Sequence, residues 1–252
     1  SGRELDELAV VMGVGLDASG ETGEIAVTAQ TAKAADMGKA GEGASGPAYW
    51  NVTETGPDPF TALRGMADTA GRRLYLSHNQ VLIFGRDLAE SGIQSELDYF
   101  LRDRESRANI WVIVADGQAS ELLDFEPKLE KLPARQLAGE VKAKHSTGEW
   151  PAVDLLEFAN HLMERSRAPL APLVAMVGEG EERTAQIVGT AVFRDDKMVG
   201  TLSETETRGM LWLQGKIQGA ALEVPIDGGV AGVEVVSATG KMIPVFTEDG
   251  GI

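Results

Sequence analysis

Residues Thr190 to Ile217, TAVFRDDKMVGTLSETETRGMLWLQGKI, leave almost no slack between elements, so they constrain the fold most tightly. Ala191-Val192-Phe193 is a short β-prone run, Arg194 to Lys197 is a polar turn, and Met198 to Leu202 returns as the second strand of a hairpin. Ser203 and Glu206 then stand at capping-box spacing, each able to satisfy a free backbone N–H of the other. Met210, Leu211 and Leu213 give the helix that follows an apolar side, and Gly215 supplies a left-handed exit. Lys216 to Val224 alternates loosely, as a further strand would.

Upstream, Glu7 to Leu16 is apolar on both faces and reads as a buried strand, with Ile25 to Ala32 as its hairpin partner. Lys33 to Tyr49 is poor in large apolar residues and reads as a loop; it lacks the Gly-Lys-Ser/Thr ending of a phosphate cradle. Trp50 to Thr55 is a strand, and Asp58-Pro59 starts a helix running to Gly71. Strands over Leu74–Leu76 and Val81–Phe84 flank Ser77-His78-Asn79. Helices follow at Asp87–Ser91 and Ile93–Arg102, the latter with Leu97, Phe100 and Leu101 on one side. Ile110 to Ala115 is a buried strand, Gln118 to Asp124 a short helix, and Leu129 to Lys144 a longer one. Val153 to Arg165 is the best amphipathic helix, with Val153, Leu156, Ala159, Leu162 and Met163 in one stripe. Ala168 to Leu173 reads as a rigid extended exit around Pro169 and Pro172, and Gly178 to Glu182 as a domain boundary. Ile243 to Phe246 is a last extended piece.

The alternation of helix and strand predicts an α+β or mixed α/β fold. Residues 1–180 form a larger domain with a mixed sheet and packed helices. Residues 181–246 form a small strand-hairpin-helix domain, and 247–252 begin a linker.

A formal charge of -16 over 252 residues, with no basic cluster, argues against nucleic-acid partners. With no Cys there is no disulfide, thiol catalysis or thiolate metal site within this sequence. No apolar run reaches the roughly 18–20 residues that a membrane span needs. The three histidines, His78, His145 and His161, are not at metal-ligand spacing, and His161 is expected at the surface or its boundary. No nucleophile elbow occurs, Glu206 has a capping use, and neither catalysis nor a cofactor or metal is expected. Arg208 and Trp212, four apart on the capped helix, are candidate contacts for a protein partner. The structural alternative has Trp212 covering the sheet and Arg208 pairing with Glu204. His78, between two apolar strands, is the third candidate contact.

The order of several short strings resembles the C subunits of spore germinant receptors, the Ger(x)C lipoproteins. The strings are Arg3-Glu4-Leu5, Gly13-Val14-Gly15-Leu16-Asp17, Arg72-Arg73-Leu74-Tyr75 with His78, Phe100-Leu101-Arg102-Asp103 and Val153-Asp154-Leu155-Leu156-Glu157-Phe158. Lys197-Met198-Val199-Gly200, Glu206-Thr207-Arg208-Gly209, Leu211-Trp212-Leu213 and Gly215-Lys216 complete the pattern. This resemblance implies a lipidated Cys upstream of Ser1 and a third domain downstream. It also implies anchorage at the spore inner membrane, A and B receptor subunits as partners, and a part in receptor assembly and signalling. Two other readings are a solute-binding module that itself captures a small nutrient and a generic cell-envelope scaffold.

Overall fold

The computed structural model describes residues 8–20, 23–33, 47–147, 149–164, 167–215, 220–226 and 229–236. Much of the expected 33–49 loop, the start of the strand expected from Lys216, the Ile243–Phe246 piece and the 247–252 linker lie outside these residues.

Strand β1 (Leu8–Ala18) organises the rest. It pairs antiparallel with β2 (Ile25–Ala32), and β2 pairs antiparallel with β3 (Tyr49–Gly56). On its other side β1 runs parallel to β4 (Arg73–Tyr75) through Leu8 to Val10, and parallel to β5 (Val81–Phe84) through Gly13 to Leu16. A 3-10 turn over Leu76–His78 steps the chain from β4 to β5. Next come β6 (Trp111–Ala115) and β7 (Leu170–Val177), both parallel, then β8 (Thr184–Arg194) and β9 (Lys197–Leu202), both antiparallel. Together these make one nine-stranded mixed sheet in the order β3-β2-β1-β5-β6-β7-β8-β9, with β4 beside β1.

Parallel strands bury both faces, and successive side chains point to opposite sides. Leu82 and Phe84 of β5 therefore enter one core and Val81 and Ile83 the other. The first core holds helices α1 (Pro59–Ala70), α2 (Arg86–Ser91), α3 (Gln94–Arg102) and α5 (Leu155–Met163), through residues such as Met66, Leu88, Phe100 and Phe158. The second holds α4 (Pro133–Thr147) and the 3-10 turn Ser120–Leu123, through Leu123, Leu137 and Val141. The expected mixed sheet with packed helices is therefore present, with helices on both faces.

Local caps set several helix starts. Asp58 accepts from the Thr61 N–H at 2.8 Å, Pro59 takes the first turn, and Gly71 closes α1 at φ 60°. Helix α4 begins at Pro133, not at Leu129. Proline suits a first position, and the Ala134 N–H beyond it is taken by the Gln30 side chain at 2.9 Å. The 118–124 helix is shorter than expected, a 3-10 turn over Ser120–Leu123.

Helix α5 corrects the predicted stripe. Val153 and Asp154 lie extended along β6: the Val112 N–H donates to Val153 O, and the Leu155 N–H donates to Ile110 O. Asp154 caps the helix by accepting from the Glu157 N–H. That attachment sets the helical phase from Leu155, so Leu155, Phe158, Ala159 and His161 turn inward while Leu156 and Met163 are exposed. His161, expected at the surface or its boundary, is only 6% exposed. In α3 the inward residues are Glu96, Leu97 and Phe100, and Leu101 is exposed.

The extended exit expected over Ala168–Leu173 runs into β7 from Leu170. Pro172 lacks an N–H, and the ladder with β6 is confined to Leu173 and Val174 beyond it. Gly178 to Glu182 forms the connection between β7 and β8 within one sheet. The β8–β9 turn reaches across to α3, where Asp196 accepts from the Ile93 and Gln94 N–H groups. A separate hairpin follows, β10 (Ala220–Ile226) with β11 (Gly229–Val235).

Candidate functional site

In open parallel sheets, ligands gather at the carboxyl ends of the strands. Here, at the end of β1, the chain fills part of that edge with its own side chain. Asp17, at the end of β1, is 8% exposed and accepts from the Ala119 N–H at 2.6 Å and the Ser120 N–H at 3.0 Å. A Cβ on Gly85 would sit 2.1 Å from Asp17 Oδ1, so glycine alone lets β5 end so close to the carboxylate. Burial pushes the Asp17 carboxyl above its usual value, against the lowering effect of those two N–H donors. The backbone donors that would hold a ligand anion are thus occupied by the chain's own side chain. Beside it, Arg86 Nε donates to Asp116 at 2.8 Å.

Helix α6 (Glu204–Leu213) carries two of the three candidate contacts. Its capping box is complete: Ser203 Oγ accepts from the Glu206 N–H, and Glu206 Oε2 accepts from the Ser203 N–H at 2.8 Å. Those bonds from Ser203 hold the Glu206 carboxyl below its usual value. Thr207 and Leu211, four apart, face the sheet, and the hydroxyls of Thr207 and Thr190 share a buried 2.9 Å hydrogen bond. A polar residue thus takes an inward position, while Leu213, expected on the apolar side, is 65% exposed. Thr190 and Ala191 are adjacent in β8 and Ala191 belongs to the first core, so α6 lies on the α4 face of the sheet.

Arg208 donates to Glu204 at 3.1 Å, Trp212 is half-buried, and both stand one position beyond the inward residues, on one flank of α6. Arg208 and Glu204 line a cleft of about 790 Å³ between α6, α4 and the start of β8. On its α4 wall, Glu140 accepts from the Ile187 N–H at 3.2 Å, and burial raises its carboxyl above the usual value.

His78, at the end of the 3-10 turn, is exposed, with its ring 5.8 Å from that of Tyr75. It lines a second cleft of about 340 Å³ across α4, sharing Glu130, Arg135 and Gly139 with the first. Arg208 and Trp212 are brought together, and His78 stands apart from them. The His145 side chain lies outside the described residues. Among the described residues no three His, Asp or Glu side chains cluster as metal ligands. Sequence reasoning missed Asp17, Asn79 and Glu140, whose environments come from distant segments.

Comparison with known proteins gives the context. A family described as "Spore germination protein N-terminal domain" matches residues 1–176, and "Spore germination B3/ GerAC like, C-terminal" matches residues 188–251. The chain belongs to the Ger(x)C family of spore germination proteins. Among Ger(x)C relatives, the spore germination protein YndF of Bacillus subtilis is 28% identical over 88% of this chain and 60% of its own length. Spore germination protein KC of the same organism is 24% identical over 86% of this chain and 58% of its own length. The chain therefore spans little more than half of these relatives. The crystal structure of the GerBC protein aligns with a TM-score of 0.43 at 18% identity, covering 89% of this chain and 62% of that one. None of the described helices is long and apolar enough to cross a membrane.

Proposed function

We propose that this Ger(x)C chain is a non-enzymatic, lipid-anchored subunit of a nutrient germinant receptor at the spore inner membrane. In this reading it acts in receptor assembly and signalling beside the A and B subunits. The observation that carries the proposal is the outer flank of α6. The helix is tied to the sheet by the buried Thr190–Thr207 bond and capped at its start, so its orientation is fixed. On that fixed support it presents Arg208, half-buried Trp212 and exposed Leu213. Trp and Arg are the side chains that anchor protein interfaces, and a rigid support spares the ordering cost of binding. At the end of β1 the Ala119 and Ser120 N–H groups are taken by Asp17, which supports a structural use of that part of the sheet over a catalytic one.

Recovery of the A and B subunits with tagged chain tests this. Arg208→Glu reverses one charge, and Trp212→Ala removes one aromatic anchor. Each is expected to lower recovery by about tenfold or more, the scale of a hot-spot loss of 1.4 kcal/mol or greater. Circular dichroism of both variants should match the parent, because Arg208 is exposed and Trp212 is only half-buried. Full recovery by folded variants would remove α6 from the interface.

A further inference from the structure

The smaller cleft beside α4 contains a combination that the assembly role does not use. It opens at the amino ends of the parallel strands, where Gln80 precedes β5 and Trp111 begins β6. Arg107, Arg135 and Lys142 line it against a single carboxylate, Glu130, although the whole chain carries -16. Arg135 is paired to Glu130 at 3.3 Å. Arg107 and Lys142 have no carboxylate within ion-pair distance among the described residues. The cleft therefore holds positive charge without its counter-charge.

Asn79 is the second and independent observation. It lines the same cleft, is only 4% exposed, and neither its side-chain N–H₂ nor its side-chain oxygen finds a partner among the described residues. An orphaned buried amide costs about 1–3 kcal/mol, so native proteins seldom keep one without a use. Its backbone is fixed: the Asn79 N–H donates to Leu76 O at 2.9 Å, and the neighbouring Gln80 N–H donates to Met12 O at 3.0 Å. The Trp111 N–H bonds Gln80 O at 3.0 Å, which locks the turn to β6. The floor of the cleft is pre-formed, and the Asn79 amide on it is left unpaired among the described residues.

We propose that this cleft binds a small carboxylate-bearing organic anion. Arg107 and Lys142 supply the counter-charge, and the Asn79 amide donates to the ligand from below. Trp111, half-buried, forms an apolar wall for the carbon skeleton. A volume of about 340 Å³ suits a molecule of the size of an amino acid or a di- or tricarboxylate. The site lies across α4 from the α6 cleft, so a bound anion would touch the helix that forms one wall of both.

Calorimetry and thermal shift with succinate and citrate test the site on the isolated chain, with a hexaglutamate peptide as the polymer control. The small carboxylates should bind and raise the melting temperature. Asn79→Leu and the double variant Arg107→Ala/Lys142→Ala should each weaken binding by more than about tenfold. Both cations are exposed, so their removal leaves the fold intact and keeps the test decisive. Asn79→Leu should also melt no lower than the parent, because it removes an unpaired buried polar group. Absence of binding at millimolar concentration, binding unchanged in both variants, or binding of the peptide alone would each overturn the assignment. The outcome is independent of subunit recovery, so it can fail while the assembly role stands.

Discussion

Replacing Phe158 by Ala is expected to lower the unfolding free energy by about 3–5 kcal/mol, the cost of emptying a buried aromatic position. Phe158 is 0% exposed and packs edge-on against Phe193, with ring centroids 5.2 Å apart and planes at 85°. The pair joins α5 to β8, on opposite sides of the stretch where the sequence places a domain boundary. Denaturant titration of Phe158→Ala, Phe193→Ala and the double variant measures the effect. The pair should couple by about 0.5–1.5 kcal/mol beyond its buried area. Because β8 continues the large sheet, the loss should appear in a single transition for residues on both sides of Gly178–Glu182. Two separate transitions, with only one shifted, would show that the sheet does not unfold as a unit.

Gln30→Leu is the second large effect. Gln30 is 0% exposed in β2, and its side chain holds the opposite face of the sheet together. Nε2 donates to Leu123 O at 2.7 Å and to Asn51 Oδ1 at 3.1 Å, while Oε1 accepts from the Ala134 N–H at the start of α4. Leucine keeps the volume and strands the Ala134 N–H without an acceptor. The expected cost is about 2–3 kcal/mol, the upper part of the range for one orphaned buried group. Asn51 also donates to Leu123 O at 2.7 Å, so that carbonyl stays satisfied and the loss concentrates at α4. Amide exchange should therefore quicken in the first turn of α4 before it quickens in β2. Equal protection of that turn in parent and variant would contradict the capping role.

What could be read from the sequence divides by distance along the chain. The capping box at Ser203 and Glu206, the Asp58 cap, the β8–β9 hairpin and the left-handed Gly71 and Gly215 all depend on residues within a few positions of one another. Asp17 and Gln30 meet backbone N–H groups 102 and 104 residues away, and no local pattern reports such a meeting. The α5 stripe failed for a related reason. Its periodicity was visible, but its phase was set by the attachment of Val153 and Asp154 to β6, which turned His161 inward and Leu156 outward. On α6 the hydrophobic pattern placed Leu213 inward, whereas the inward line runs through Thr207 and Leu211, with Thr207 bonded to Thr190 and Leu213 left exposed. The candidate contacts Arg208 and Trp212 were visible as residue types at helical spacing. The Asn79 cleft was not, because it joins the 3-10 turn, the start of β6 and α4 from three separate stretches.

The α6 flank is proposed as the surface through which this chain meets a receptor subunit. Photo-crosslinking from position 212 in spore membranes tests it most directly, with position 156 on the opposite face of the sheet as the comparison. The account predicts covalent adducts with another receptor subunit from position 212. Adducts arising from position 156 and none from position 212 would contradict it.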